Sequence, residues 1–485
     1  TAAIHFFYRS VFTHAPSPAS MTRRSVEPLS GVDTAWLRMD HPTNLMTITA
    51  VLVLDDPIDY ATMVSVLEER MLCFRRFKQR VMSLDDSPYW ETDPYFEVEQ
   101  HLHRSALPAP ATQAELQERV SDLMSEPLDF SKPPWHMHLI EDYQGGSAII
   151  VRLHHCIADG IALVQVLLSL TDEFYDDVRH QSRSSKASAY SLVPSLFRPA
   201  LNAVTSTVND VAHAGGALLR EGLTMATRPK HLLKRVKQGM SLGAALTKFA
   251  LLEPDSSTLF KGELGVRQRA AWSAPVPLAD VKQIGRALDA KVNDVLLGAV
   301  AGALRHYLQS RNQSVDGASV RALIPVNLRP HQHAVTLGNR FGLVFLTLPV
   351  GVPARRTRVL TVKRRMDEIK ASSEAVAALG ILQALGAVPL EVEDQVVKLL
   401  SSKASAVMTN VPGPRKKLHL AGRSLQHVMP WVPRAGKIGM GVSIFSYAGE
   451  VRLGIATDAG LVPDPETILE GYLDEFKHLR RTVTT

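Results

Sequence analysis

The stretch 135–169 constrains the fold more than any other part of this 485-residue chain. Its first part, "WHMHLIEDYQGGSAIIVRLHH" (135–155), predicts two strands joined by a turn at Gly145-Gly146. After Gly160, "IALVQVLLSLTDEF" carries apolar residues around most of its circumference, which predicts a buried helix. The polar motif "HHCIADG" (154–160) therefore lies at a strand-to-helix junction, where an uninterrupted apolar core would be expected.

The two histidines of this motif are neighbours on the predicted strand. Successive side chains of a strand point to opposite faces, so His154 and His155 cannot aim at one point. This argues against a metal site at the pair, and the chain contains no H-E-x-x-H helix, so we predict no metal. A neutral imidazole, with a usual pKa of about 6.5, is a natural general base for a hydroxyl that attacks a carbonyl. The alternative is a buried polar cluster that only stabilises the fold.

Asp159 and Gly160 complete the motif. Asp159 is expected either to pair with an arginine and brace the loop or to orient a ring nitrogen, and Gly160 permits a tight path into the helix. A nucleophilic Cys156 paired with one of these histidines is disfavoured, because neighbouring strand residues diverge. The absence of a G-x-S-x-G motif argues against a serine hydrolase.

Composition narrows the class of protein. The chain is 45% apolar and 21% charged, as in folded globular proteins, and its length predicts roughly two or three domains. The net charge of +6 suits a small anionic ligand or a membrane surface, and lacks the dense basic stripe of a nucleic-acid binder. The two cysteines, Cys73 and Cys156, predict a reducing, cytoplasmic compartment and no structural zinc.

No apolar run reaches the roughly 18–20 residues needed to span a bilayer. The longest candidate, residues 375–390, is interrupted by Gln383 and ended by Pro389, so a buried helix is the better interpretation. Residues 1–27 precede the predicted fold. The first methionine is Met21, and we interpret this leader as disordered.

The remaining chain divides into three parts. Residues 28–178 and 271–485 both show alternating strand and helix patterns, so we predict two α/β lobes. Between them, residues 179–270 begin with a serine-rich linker and continue with amphipathic basic helices, of which "RPKHLLKRVKQG" (228–239) is the clearest. This basic segment is either a solvated helix face that bridges the lobes or a surface that docks on anionic lipid.

His154-His155-x-x-x-Asp159-Gly160 resembles the H-H-x-x-x-D-G signature of the chloramphenicol-acetyltransferase-like acyltransferases. Other segments are similar to the bacterial wax ester synthase/diacylglycerol acyltransferases, and the resemblance covers about residues 28–480. "PLSGVDTAWLRMDHPTNLMTITAVLVLD" (28–55) resembles the opening of that family. "KPPWHMHLIE" (132–141) is similar to its Pro-Leu-Trp segment, with Pro134 in place of the leucine.

Four further motifs follow in the family's order. They are "VNDVLLGAVAGALRHYL" (292–308), "PVNLR" (325–329), "LGNRFG" (337–342) and "TNVPGP" (409–414). Within the motifs, the residues expected to contact substrate or shape its binding site are Trp135, Asn293, Asp294, Asn339, Arg340, Asn410, Pro412 and Gly413. Asn293 and Asp294 could equally cap a helix, and the proline-rich loop could simply be rigid.

The resemblance implies an α/β fold of two chloramphenicol-acetyltransferase-like lobes, made of mixed sheets and helices, with a tunnel between them. Acyl-CoA would enter on one side and the alcohol on the other. His155 would be the general base, with His154, Asp159 and Gly160 holding the loop. The alcohol would attack the thioester directly, without an acyl-enzyme and without a tightly bound cofactor. The oxyanion donor is either a side chain or a backbone N–H of the second lobe.

The function implied is transfer of a long-chain acyl group from acyl-CoA to a fatty alcohol or diacylglycerol, which makes wax ester or triacylglycerol as storage lipid. Two alternatives remain: transfer to another alcohol, or a catalytically inactive protein that binds lipid surfaces. The first basic run after the proline-rich loop, Arg415-Lys416-Lys417, would meet coenzyme A phosphates or be a solvated charge run. The protein is expected in the cytoplasm, with peripheral association with the inner membrane or lipid droplets, and no nucleic-acid partner.

Membrane docking through residues 228–239 makes a direct prediction. Neutralising Lys230, Lys234, Arg235 and Lys237 together should weaken binding to anionic vesicles, because each surface cation contributes about 1 kcal/mol of attraction. Co-sedimentation with phosphatidylglycerol vesicles measures this, and unchanged binding of the variant would contradict the docking hypothesis.

Overall fold

A computed structural model describes residues 26–84, 87–175, 252–327, 341–371, 378, 385 and 388–484. The predicted leader up to residue 25, most of the predicted linker including the basic segment 228–239, and most of the apolar stretch 375–390 lie outside the described residues. Across the part that is described, no helix has the length and apolar character needed to cross a membrane.

The described strands and helices alternate along the chain in both halves. The strands are β1 (Glu27–Pro28), β2 (Thr47–Leu54), β3 (Gln79–Leu84), β4 (Ser87–Thr92), β5 (Leu102–Ser105), β6 (Trp135–Tyr143), β7 (Gly146–His154), β8 (Gln268–Trp272), β9 (Val276–Pro277), β10 (Val320–Asn327), β11 (Phe341–Leu348), β12 (Ala406–Pro412), β13 (His419–Leu420), β14 (Arg423–Trp431), β15 (Met440–Tyr447) and β16 (Glu450–Asp458). The α-helices are α1 (Gly31–Arg38), α2 (Tyr60–Val66), α3 (Gln113–Ser125), α4 (Gly160–Ser169), α5 (Leu278–Ala287), α6 (Val292–Ser310), α7 (Arg355–Lys370), α8 (Leu390–Ser402) and α9 (Pro465–Thr484).

The predicted hairpin before the histidine motif is formed by β6 and β7, which pair antiparallel. Its turn is at Gln144-Gly145, where φ is 53° and 83°, one residue before the predicted Gly145-Gly146. Gly146 instead begins β7. It must be a glycine there, because a Cβ would lie 2.1 Å from the carbonyl oxygen of Leu54 on β2. Every residue of β7 is buried, so this is a central strand of the core.

The N-terminal sheet has the order β13-β14-β2-β7-β6-β5, and its first two strands come from the C-terminal half of the chain. β14 pairs antiparallel with β2, from Leu425 opposite Leu54 to Trp431 opposite Thr49. The second sheet has the order β11-β10-β12-β15-β16-β8, with parallel pairs at β10·β12 and β12·β15. The first sheet has one parallel pair, β5·β6, so both of these sheets are mixed and packed with helices, as predicted, but the first one is built from both halves.

In the second half of the chain, glycines lie near the break between two helices and in the turn of a hairpin. α5 and α6 are separate helices, and the break lies at 288–291. A Cβ at Gly285 would meet the carbonyl oxygen of Ala290 at 2.6 Å, so this glycine permits the tight turn between them. A hairpin is formed late in the chain by β15 and β16, which turn at Ala448-Gly449, where φ is 50° and 85°.

Buried polar contacts join the two halves next to these sheets. Nδ2 of Asn44 donates to the carbonyl oxygens of Gly436 (2.8 Å) and Ile438 (3.3 Å). The Arg434 guanidinium, 6% exposed, donates to Oε1 of Gln268 and, at 2.9 Å, to the carbonyl oxygen of Gly439. Nε2 of Gln268 in turn donates to the carbonyl oxygen of Thr43 (3.3 Å), so one network crosses from the C-terminal half to the loop before β2.

Removing Arg434 should destabilise this junction. Arg434→Met would leave buried carbonyl and amide oxygens without their donors, which should lower the free energy of unfolding by about 3 kcal/mol. Lys437→Met, an exposed change in the same loop, should alter it by less than about 0.5 kcal/mol. Urea unfolding measures both values, and equal stabilities of the two variants would contradict this role for Arg434.

Candidate active site

The histidine motif lies where β7 ends and α4 begins. His154 is the last residue of the strand, and Gly160 is the first residue of the helix. The turn between them is held by its backbone: the N–H of His155 donates to the carbonyl oxygen of Met46 (2.7 Å), and the N–H of Ile157 donates to that of His154 (3.1 Å). The motif is thus tied both to itself and to the chain just before β2.

The ring nitrogens of His154 face neighbouring groups of the protein. The backbone N–H of Cys156 donates to Nδ1 of His154 at 3.2 Å, which assigns the proton of the neutral ring to Nε2. That Nε2 lies 3.5 Å from Oδ1 of Asp40. Asp40 also accepts the backbone N–H of Met46 at 2.6 Å, and the ring of Phe130 packs edge-on against His154 at 4.9 Å. Both ring nitrogens are therefore directed at the loop, which supports the predicted bracing role.

His155 has different neighbours, as the parity of a strand predicts. Its imidazole stacks on the indole of Trp36 in α1, with ring centroids 4.1 Å apart and planes at 23°. The ring of Phe341, the first residue of β11, lies 5.8 Å from the imidazole and 5.9 Å from the Trp36 indole, so the three rings form a triangle. The imidazole is 4% exposed and packs against an aromatic ring from each half of the chain.

Asp159 and Cys156 are the remaining motif residues with chemically active side chains. Asp159 is 4% exposed and directly precedes α4, where a negative charge is favoured by the helix dipole. Cys156 is 1% exposed, and burial raises the pKa of its thiol well above the ordinary value. A thiol that stays protonated is a poor nucleophile, so the structure gives no support to a Cys156 mechanism.

Trp135 lies in the core of the N-terminal lobe. Its ring has no exposed surface, stacks on His101 with centroids 4.5 Å apart, and donates its indole N–H to the carbonyl oxygen of Phe77 at 2.8 Å. This position gives Trp135 a packing role beneath the strand that leads to the motif. The described structure offers no free ring surface for the substrate contact predicted from the sequence.

Asn293 and Asp294 take separate roles at the start of α6. Oδ2 of Asp294 accepts the backbone N–H of Lys291 at 2.9 Å, so Asp294 caps the helix, which was one of the two sequence interpretations. Burial raises the pKa of Asp294. Asn293 is half-buried and accepts a hydrogen bond from Nδ2 of Asn410 at 2.9 Å, so the two predicted motifs meet here.

The proline-rich segment follows β12 directly. Asn410 and Pro412 are half-buried at the end of that strand. Gly413 is buried, and its backbone N–H donates to the carbonyl oxygen of Ser446 at 2.7 Å; a Cβ at this position would lie 2.5 Å from the same oxygen. The segment therefore crosses β15 in close backbone contact and leads into β13 and β14, which join the N-terminal sheet.

Other predicted residues are either exposed or outside the description. Arg415, Lys416 and Lys417 are exposed on the crossing segment. Asn339 and Arg340 lie outside the described residues. Among the residues that are described, no group of three or more His, Cys, Asp or Glu side chains has an arrangement able to hold a metal ion.

Comparison with known proteins identifies the family. Residues 29–296 match the model of the wax ester synthase/diacylglycerol acyltransferase catalytic domain, and residues 337–480 match that of the family's C-terminal domain. The chain belongs to the wax ester synthase/diacylglycerol acyltransferase family. The family and the acyltransferase activity predicted from the motifs are thereby confirmed.

Relatives and solved structures agree with this membership. A protein of Mycobacterium tuberculosis H37Rv named "Probable diacyglycerol O-acyltransferase tgs1" is 30% identical over 90% of this chain and 93% of its own length. The wax ester synthase/diacylglycerol acyltransferase of Marinobacter aquaeolei VT8 superposes with a TM-score of 0.66 at 18% identity, covering 95% of this chain and 100% of that one. Polyketide synthase associated protein 5 of M. tuberculosis superposes with a TM-score of 0.57 at 15% identity, covering 94% of this chain and 99% of that one. These superpositions confirm the predicted two-lobed fold.

Three side chains that surround the histidines were not singled out from the sequence: Trp36, Asp40 and Phe341. Trp36 and Asp40 belong to the segment 28–55 that resembles the family opening, and Phe341 is in "LGNRFG", so the motifs contained the signal. Their contact with the histidines, more than 100 residues away along the chain, requires the tertiary fold.

Helix α1, which carries Trp36, is fixed at its end by a buried ion pair. Nη1 of Arg38 lies 3.5 Å from Oε2 of Glu393 on α8 and donates to the carbonyl oxygen of Val388 at 3.0 Å. The Glu393 side chain is 2% exposed, and burial raises its pKa to about 7, against the opposing effect of Arg38. The carboxyl group that faces α1 is therefore about half protonated near neutral pH.

This carboxyl group should make stability depend on pH. Because its pKa is raised from 4.5 to about 7 in the folded protein, its contribution falls as pH rises between those values, by about 3 kcal/mol at most. Glu393→Gln removes the titration, so wild type should lose stability relative to this variant between about pH 5 and about pH 8. Urea unfolding at both pH values measures the difference. Glu391→Gln, an exposed change, should show the same pH dependence of stability as wild type. If Glu393→Gln also showed the wild-type pH dependence, the raised pKa of Glu393 would be contradicted.

Proposed function

We propose that His155 is the general base in the transfer of a long-chain acyl group from acyl-CoA to a fatty alcohol or diacylglycerol. The observation that carries this proposal is the packing of the His155 imidazole against both Trp36 and Phe341, where the two halves of the chain meet. A base at that junction can serve two substrates that approach from opposite sides. His154, whose nitrogens face Cys156 and Asp40, is poorly placed for the same work.

The reaction proceeds by direct attack. An imidazole nitrogen of His155 takes the hydroxyl proton of the acceptor as its oxygen bonds to the thioester carbonyl carbon. The resulting tetrahedral intermediate collapses with cleavage of the carbon–sulfur bond. The imidazolium returns the proton to the departing sulfur, so the products are the ester and free coenzyme A, and the base is regenerated.

The surroundings of His155 support this role in two ways. The stacked Trp36 fixes the plane of the imidazole, which lowers the cost of orienting it for proton transfer. Asp40 lies close to Nε2 of His154 and accepts the backbone N–H of Met46. The carbonyl oxygen of Met46 in turn accepts the N–H of His155, so these contacts hold the backbone beside His155. His154 and Asp40 are thus positioning residues, and their loss would act through the loop.

The substrates follow from the family and its relatives. The family's activity implies acyl-CoA and an alcohol or diacylglycerol. A starter condensation domain with a related fold, at a TM-score of 0.58 and 12% identity, was solved with C8-CoA and Leu-SNAC, so a fold of this type accommodates an acyl-CoA. We propose long-chain acyl donors, no tightly bound cofactor, and peripheral association with membrane or lipid droplets through the basic segment 228–239, because both lipid substrates partition into apolar phases.

Removal of the base gives the decisive variant. His155→Ala should lower kcat for coenzyme A release from palmitoyl-CoA and hexadecanol by about 10²–10⁴-fold, the usual contribution of general base catalysis. Added imidazole should restore part of the rate, because the truncated side chain leaves space for it. His306→Ala, on the exposed face of α6, serves as the matched control and should be fully active.

Two outcomes would contradict the proposal. If His155→Ala released coenzyme A at the wild-type rate, His155 would not be the base. If the wild-type protein bound vesicles but transferred no acyl group to any alcohol from ethanol to diacylglycerol, the lipid-binding alternative would be correct.

A further inference from the structure

A basic cavity lies beside the start of α6, apart from the histidine motif. It has a volume of about 630 Å³, and its charged lining residues are Lys282, Arg286, Asp289, Lys291 and Lys363. They come from α5, from the turn between α5 and α6, and from α7. The volume lies within the roughly 300–1,000 Å³ that is usual for small-molecule sites.

The lining has a surplus of positive charge. The one carboxylate among these lining residues, Asp289, is already paired: the Lys363 ammonium lies 2.7 Å from its Oδ2 and lowers the pKa of that carboxyl group. Lys282, Arg286 and Lys291 are exposed, and no carboxylate of the described residues is within ion-pair distance of them. Lys282 and Arg286 therefore face the cavity region without an ion-pair partner among the described residues, and Lys291 is balanced in part by the nearby carboxylate of Asp294.

A further cation lies close to the same place. Lys370 of α7 is half-buried, and burial lowers its pKa; the Lys291 ammonium acts in the same direction, whereas Asp294 and Asp367, the latter 3.9 Å from the Lys370 ammonium, act against it. With the lining residues, five cations lie here against the three carboxylates of Asp289, Asp294 and Asp367, so a net repulsion between positive charges is left. An anionic ligand would offset that repulsion, whereas a cation or a neutral apolar ligand would not.

The cavity adjoins a predicted part of the substrate site. Val292 lines it, and the next residue, Asn293, accepts the hydrogen bond of Asn410 from the proline-rich segment. The tight turn at Gly285, which brings the carbonyl oxygen of Ala290 to 2.6 Å from where a Cβ would be, fixes the position of Lys291 relative to α5. The basic groups are thus held on regular elements next to a motif shared with the family.

We propose that this cavity binds the phosphate groups of the coenzyme A portion of the acyl donor. The inference rests on the proposed function, which supplies acyl-CoA as the substrate. The adenosine 3′,5′-bisphosphate end of coenzyme A carries several negative charges, and lysine and arginine side chains bind such groups through charge-assisted hydrogen bonds. The acyl chain and the thioester would extend from this end toward the junction that holds His155.

The kinetic test compares two acyl donors. In Lys282→Ala/Arg286→Ala, the KM for palmitoyl-CoA should rise about tenfold with little change in kcat, because two phosphate contacts are lost. The KM for palmitoyl-pantetheine, which has no phosphate, should not change. Lys398→Ala/Lys477→Ala is the matched control, since it removes two exposed lysines from α8 and α9, and it should alter neither value. Thermal unfolding checks that both variants are folded.

A binding measurement separates this inference from the proposed function, because it needs no turnover. Calorimetry with adenosine 3′,5′-bisphosphate should show about tenfold weaker binding to the Lys282→Ala/Arg286→Ala protein than to wild type. Equal binding would overturn the proposal, as would an equal rise in KM for both acyl donors or loss of binding in the Lys398→Ala/Lys477→Ala control. The proposal would also be overturned if the Lys282→Ala/Arg286→Ala protein still bound the bisphosphate but no longer bound phosphatidylglycerol vesicles. That result would assign the cavity to a lipid headgroup.

Discussion

The pairing of β14 with β2 is the contact on which the rest of the molecule depends. β14 comes from the C-terminal half, yet it lies beside β2, and β2 lies beside β7, the strand that ends in the histidine motif. The sheet that presents the motif is therefore complete only when both halves have folded together. The buried network of Arg434, Gln268 and Thr43 reinforces this joint arrangement.

The position of His155 follows from that arrangement. Its backbone is tied to Met46 just before β2, its ring rests on Trp36, and Phe341 approaches from the second sheet. Aromatic side chains from both halves of the chain thus pack against the imidazole. Acyl transfer needs a donor and an acceptor brought together at one base, and the proposed base lies at the contact between the two lobes, where no covalent intermediate is needed.

Local sequence patterns predicted local structure well. The β6–β7 and β15–β16 hairpins and the separation of α5 from α6 follow from apolar periodicity and glycine-containing turns. The first turn lies one residue earlier than predicted, and Gly146 is needed instead for clearance from Leu54, a contact with a distant strand that no local rule encodes. The crossing of β14 and the aromatic neighbours of His155 depend on contacts between distant segments, so periodicity alone could not predict them. Asp294 was ambiguous because the same residue that caps a helix also belongs to a family motif.

The absence of a covalent intermediate is the most direct test of this account. Cys156, the adjacent alternative nucleophile, is buried with a raised thiol pKa, so His155 should act on the acceptor alcohol alone. Rapid mixing of the protein with radiolabelled palmitoyl-CoA in the absence of any alcohol should give no burst of free coenzyme A and no label on the denatured protein. A burst stoichiometric with enzyme, with the palmitoyl label retained on the chain, would contradict the account.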